Sequence, residues 1–193
     1  MLKKTLSRGL PVGRSLAVWL RLFVAMICVM VFGQQALSQD TPENQKKARL
    51  IVKLARCVEW PKEKSGIGTP LVIGVYGNDA ISDQIREIAS RQKINGRDVV
   101  VRNLTSVQEI MSCHILYIPA SAERDLPSIL WKARGEPILT VGETPGFLKK
   151  GGTVILTTVD SDVMMVPYPK NAKHSDLKLS PMLFNAGETP FGG

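Results

Sequence analysis

Beyond the N-terminal segment the cysteines and histidines, side chains that ligate zinc and act as nucleophile and base, number four: Cys57, Cys113, His114 and His174. Two cysteines and two histidines make a zinc set by number, but no C-x-x-C or H-x-x-x-H spacing groups them, so no metal site is expected. A Cys/His nucleophile needs the imidazole within hydrogen-bond reach of the thiol. Cys113 and His114 are neighbours in "SCHILYIPAS", and neighbours on an extended strand point to opposite faces, so the two cannot meet there. His174 could reach Cys113 only through the fold, and no spacing argues for it. What remains is oxidation. In an oxidising compartment Cys57 and Cys113, 56 residues apart, are expected to form one disulfide, the other reading being two buried free thiols. Such a bond would tie the first helix to the third core strand, and closing so long a loop is worth ~4 kcal/mol in the chain-entropy model.

The compartment is read from the start of the chain. Residues 1–38 carry Lys3, Lys4, Arg8, Arg14 and Arg21 and no acid, then the apolar run "LFVAMICVMVFG" and a small-residue site at Ala36-x-Ser38. That order describes a signal peptide cleaved after Ser38. The unbroken apolar part is shorter than the ~20 residues of a spanning helix. The expectation is therefore export, with residues 39–193 forming one domain. Removing 1–38 takes five of the 25 basic residues and none of the 17 acidic ones, which leaves a net charge of +3 instead of +8. No basic stripe interleaved with aromatics appears in the remainder, so nucleic acid is not an expected partner.

The elements that would position these residues follow from hydrophobic period. "ENQKKARLIVKLARCVEW" repeats apolar residues at helical spacing through Ala48, Ile51, Val52, Ala55 and Val58, and predicts an amphipathic helix ended by Pro61. "PLVIGVYG" is a short β-branched run bounded by turn residues, which predicts a buried strand. Helical spacing returns in "AISDQIREIASRQKI", followed by the strand "DVVVRNL", a short helix at "SVQEIM", the strand "HILYIPA", the helix "ERDLPSILWKAR" and the strand "EPILTVGE". Strands alternating with helices predict an α/β fold: a mostly parallel sheet covered by helices on both faces. "TVILTTVDSDVMMVPYP" predicts a C-terminal antiparallel hairpin turning at Asp160-Ser161-Asp162, and "KNAKHSDLKLSPMLFN" a last helix interrupted near Pro181.

Motifs for catalysis and cofactor binding are missing where this fold would carry them. "GVYGND" lacks G-x-G-x-x-G, "GETPGFLKKGG" lacks the Gly-Lys-Ser/Thr ending of a P-loop, and no G-x-S-x-G, H-E-x-x-H or EF-hand spacing occurs. No enzyme and no cofactor are expected. Two aromatics are candidates for partner binding. Trp60 ends the first helix, either as an interface anchor or as a lid on the core. Phe147 in "PGFLKK" is either an exposed loop aromatic or a plug under the hairpin.

The ordered set "CVEWP", "PLVIGVYGND", "INGRDVVVRNL", "CHILYIPAS", "PILTVGETPGFLKKGG" and "LKLSPMLF" resembles the YfiR family of small periplasmic proteins, over about residues 46–185. The best-known members bind the sensor domain of an inner-membrane diguanylate cyclase and hold it inactive. An outer-membrane lipoprotein in turn sequesters them. The resemblance implies a repressor of cyclic di-GMP synthesis that acts on biofilm and motility, with those two partners, and leaves a homodimer open. The alternative is a periplasmic small-molecule-binding accessory protein of a transport or sensory system.

Overall fold

The computed structural model describes residues 41–66 and 68–185, which belong to one compact unit. The expected signal peptide at 1–38 lies outside the described residues. Thr41 caps the first helix, α1 (Pro42–Leu54), by accepting a hydrogen bond from the Asn44 N–H at 3.2 Å, with Pro42 opening the first turn. α1 stops at Leu54, earlier than the apolar spacing predicts. The chain then turns through Cys57 into a two-residue strand, β1 (Val58–Glu59), which pairs antiparallel with β8 (Lys178–Leu179).

The main sheet is built from β2 (Leu71–Tyr76), β3 (Val99–Leu104), β4 (Ile115–Ile118), β5 (Leu139–Gly142), β6 (Val154–Val159) and β7 (Asp162–Pro167). Its order is β3-β2-β4-β5-β6-β7, parallel from β3 to β6, with β7 antiparallel at the edge. The expected α/β architecture with its C-terminal hairpin is the one observed. Direction along the order reverses between β2 and β4, which makes that pair the topological switch point.

The pleat divides the apolar residues between two cores. Leu71, Ile73 and Val75 of β2, Ile115 and Tyr117 of β4, and Leu139 and Val141 of β5 face a core covered by α1 and by α2 (Ile81–Ser90). Val72 and Tyr76 of β2 and Leu116 and Ile118 of β4 face the other core. That side is covered by a 3-10 helix (Val107–Ser112) and by α3 (Leu126–Ala133), through Ile110, Leu126, Ile129 and Leu130. A slip of one residue in any central strand would exchange the two sets. Each fully buried aliphatic side chain is worth about 1.5–3 kcal/mol, so the register is held on both faces at once.

The β6–β7 turn has Asp160 and Ser161 at φ 49° and 69°, between the paired Val159 and Asp162. Two left-handed residues in a two-residue loop are what a twisted hairpin requires. Lys46 of α1 fixes this turn, its ammonium 2.9 Å from the Ser161 carbonyl and 2.7 Å from the Asp162 carboxylate. The segment after β7 departs from the expected interrupted helix. A single turn, α4 (Pro169–Lys173), is followed by a turn in which Asp176 takes φ 50°. Leu177, just before β8, and Leu179 within it then pack on the first core, and a last turn, α5, spans Met182–Asn185.

Phe147 is fully buried between Gly142 at the end of β5 and Gly152 before β6. A Cβ at Gly142 would stand 2.5 Å from the ring's Cε2, and one at Gly152 would also fall inside the ring's van der Waals envelope. Both glycines are required by space. Gly142→Ala or Gly152→Ala is therefore expected to destabilise the fold by about 1–3 kcal/mol through overpacking, read as a lower urea midpoint at unchanged m-value. An unshifted midpoint would mean that the ring does not occupy this slot.

Candidate partner-binding face

The two cysteines lie on opposite sides of the sheet. Cys57 is half-buried beneath α1 against the first core, and Cys113 is buried in the second, where its Sγ packs against the bare backbone of Gly74. Both are free thiols, and the expected Cys57–Cys113 disulfide is corrected accordingly: a strand layer separates two side chains that a bond would need within about 4 Å at Cβ. Burial pushes both thiols up, away from the reactive thiolate.

His114 is as far from general base duty as its neighbour is from a nucleophile. Its Nδ1 accepts the Val72 N–H at 3.0 Å and its Nε2 lies 2.8 Å from the Lys64 carbonyl. A ring nitrogen that accepts a backbone N–H carries no proton, so Nε2–H is the donor and the imidazole is neutral. Trp60 meets this ring edge-on, with centroids 5.6 Å apart, and its Nε1–H donates to the His114 carbonyl at 3.2 Å. Lys64 donates to the Cys113 carbonyl at 2.6 Å, and Arg97 donates to the carbonyls of Thr69 and Pro70 at 2.8 and 3.1 Å. The group stitches the segment before β2 to the amino ends of β2 and β4. Trp60 is buried in it, and Phe147 is buried in the second core between Gly142 and Gly152, so neither of the two expected partner-binding aromatics offers an interface. Both are core residues.

A second polar group closes the carboxyl ends of the strands, where open α/β sheets commonly hold ligands. The buried Tyr117 hydroxyl donates to Glu143, and Lys47 of α1 sits 3.0 Å from Glu143 and 2.7 Å from Glu43. Burial, followed by the adjacent Glu143 charge, drives the Tyr117 pKa far up, which leaves the phenol a fixed donor. Among the described residues no three His, Cys, Asp or Glu side chains converge as metal ligands.

The exposed chemistry lies elsewhere. In "LPSILWKA" the buried residues are Leu126, Ile129, Leu130 and Ala133, a helical stripe that leaves Trp131 on the outer side of α3. Trp131 is 77% exposed, the most open large apolar side chain among the described residues. It divides two grooves. One, of about 600 Å³, runs toward the 3-10 helix and is lined by Val107, Gln108, Pro127, Ser128, Trp131 and Lys132. The other, of about 750 Å³, runs toward the amino ends of β5 and β6, past Arg134, Lys149, Lys150 and His174. The sequence signal for this site was the stripe itself, which passes Trp131 by.

A family model described as YfiR/HmsC-like matches residues 44–188. The chain belongs to the YfiR/HmsC-like family. Comparison with curated proteins returns no match. Among solved structures, a conserved domain protein from Vibrio cholerae O1 biovar El Tor is similar at 11% identity and a TM-score of 0.50, over 77% of this chain and 60% of that one. The ABC domain in complex with L-Trp from Streptococcus pneumoniae is similar at 13% identity and a TM-score of 0.49, over 73% of this chain and 59% of that one. This chain thus spans about three fifths of each of those chains, and the first likeness speaks for the fold of the YfiR/HmsC-like domain alone.

The His114 geometry makes a pH prediction. Burial, with the nearby Arg97 and Lys64 charges adding to it, holds the imidazole below its ordinary value of 6.5. The unfolded chain then binds the proton first, so this contribution to stability is complete above about pH 6.5 and is lost as pH falls toward the lowered folded value. Urea unfolding between pH 7 and pH 5 is expected to show stability falling with pH. His114→Asn, whose Oδ1 can accept the Val72 N–H, is expected to flatten that slope. An identical slope in the variant would place the titration elsewhere.

Proposed function

We propose that this protein is an exported regulator that acts by binding: it holds the periplasmic sensor domain of an inner-membrane diguanylate cyclase in its inactive form and so lowers cyclic di-GMP synthesis. The observation that carries this reading is the family match over residues 44–188. The site geometry supports a binding role over chemistry. Cys113 is buried with its thiol pushed up, His114 Nδ1 accepts a backbone N–H while its Nε2 lies against the Lys64 carbonyl and the Arg97 guanidinium, and Tyr117 is a fixed donor to Glu143. The Lys47–Glu143–Tyr117 group also occupies the strand ends where a small solute would sit in this fold, so a solute-binding accessory role draws less support.

As a repressor, the protein must bind the inactive sensor conformation more tightly than the active one, because equal affinity shifts nothing. A shift from 1:99 to 99:1 takes about 5.5 kcal/mol of differential binding. A partly exposed tryptophan on a rigid helix can supply a large share of that, since truncation of such anchors costs about 2 kcal/mol or more. An outer-membrane lipoprotein that competes for the same protein is the second partner in this reading. Deletion is expected to raise intracellular cyclic di-GMP, and complementation with the wild type to restore it. An unchanged level on deletion, under envelope stress as well as in its absence, contradicts the repressor role.

A further inference from the structure

The charged side chains that line the two grooves at Trp131 are all of one sign. Lys132, Arg134, Lys149 and Lys150 line the two grooves that meet at Trp131, and none of the four forms an ion pair with a described residue. No carboxylate is among the residues lining either groove. The groove between α1 and α2 makes the contrast: Arg49 and Arg91 line it together with Glu87, and Glu87 is paired with Arg91. There a carboxylate lies among the cations and pairs with one of them, Arg91. Around Trp131 none does, although residues 39–193 as a whole are close to charge balance, 20 basic against 17 acidic. An uncompensated cationic rim beside an exposed aromatic attracts anions and lowers the cost of desolvating them.

The two grooves also differ in what they can hold. They share Pro127 and Trp131, so one ligand can lie across both. The first presents Val107, Pro127 and the indole to an apolar side chain. The second presents guanidinium and ammonium groups to carboxylates. We propose that this face receives a segment of the partner protein in which an apolar side chain seats against Trp131 and Pro127, and adjacent Asp or Glu side chains reach Arg134, Lys149 and Lys150. The proposal rests on the binding role given above and adds the chemistry of the partner: an acidic segment with an apolar anchor.

The test uses the purified full chain and two capped synthetic peptides, Phe-Glu-Glu-Glu and Phe-Lys-Lys-Lys, titrated at low salt with calorimetry and tryptophan emission as readouts. The acidic peptide is expected to bind saturably and the lysine peptide at least about 10-fold more weakly. Raising the salt to 0.5 M is expected to remove most of that difference, because exposed charges are screened within a few ångströms there. Lys149→Glu with Lys150→Glu is expected to reverse the preference, and Trp131→Ala to weaken the acidic peptide about 30-fold. All three residues are exposed, and an unchanged melting temperature will show that the variants fold. Equal binding of both peptides, no saturable binding of either, or a double variant that keeps the wild-type preference would each overturn the proposal. Cells separate this from the repressor reading. If deletion raises cyclic di-GMP and the double variant restores it fully, this face is not the contact although repression stands. If deletion changes nothing, repression fails, and the peptide titration alone decides the surface.

Discussion

Everything in this structure depends on a parallel sheet that must be dry on both faces. Parallel strands need crossovers, the crossovers place helices on both sides, and the pleat then sends successive side chains to two separate cores. Val72 and Ile73 of one strand belong to different clusters, as do Leu116 and Tyr117 of another. The same separation governs the cysteines: α1 brings Cys57 to one core, and the turn before β4 delivers Cys113 to the other. Two thiols that look like a natural pair in sequence are kept apart by the layer that both help to cover.

Much of this was legible in the residues. The β-branched run of β2, the helical spacing of α2 and α3, and the turn residues of the β6–β7 hairpin each announce their element locally. Less legible was whatever needed a partner distant in the chain. The helix expected from residue 170 onward gives way to β8 because Val58–Glu59 offers an edge to pair with, and that edge exists only once α1 has stopped at Leu54. Phe147 reads as a loop aromatic until Gly142 and Gly152 are seen to form its slot. The sequence carries that signal as glycines spaced five residues to either side of the ring.

The candidate site shows the same limit from the other direction. Reactive residue types drew attention to Cys113 and His114, and the fold spends both on packing and backbone hydrogen bonds. Trp60 is an anchor, but its ring is the lid over His114, an interior contact. Trp131 stands out only after the buried stripe of α3 is known, because exposure is a property of the face opposite the stripe. The positive charge around it comes from two segments, the end of α3 with Arg134 and the Lys149-Lys150 turn, that meet only in the folded chain.

The central claim is that this domain works through the outer face of α3, with its reactive-looking residues serving the interior. It is tested most directly by site-specific photocrosslinking in living cells, with a benzophenone side chain placed at position 131 or, for comparison, at position 182, where Met182 is 74% exposed on a different element. The account predicts a crosslinked product between position 131 and a membrane-bound diguanylate cyclase, and no such product from position 182. A cyclase captured from position 182 and not from 131 would contradict it.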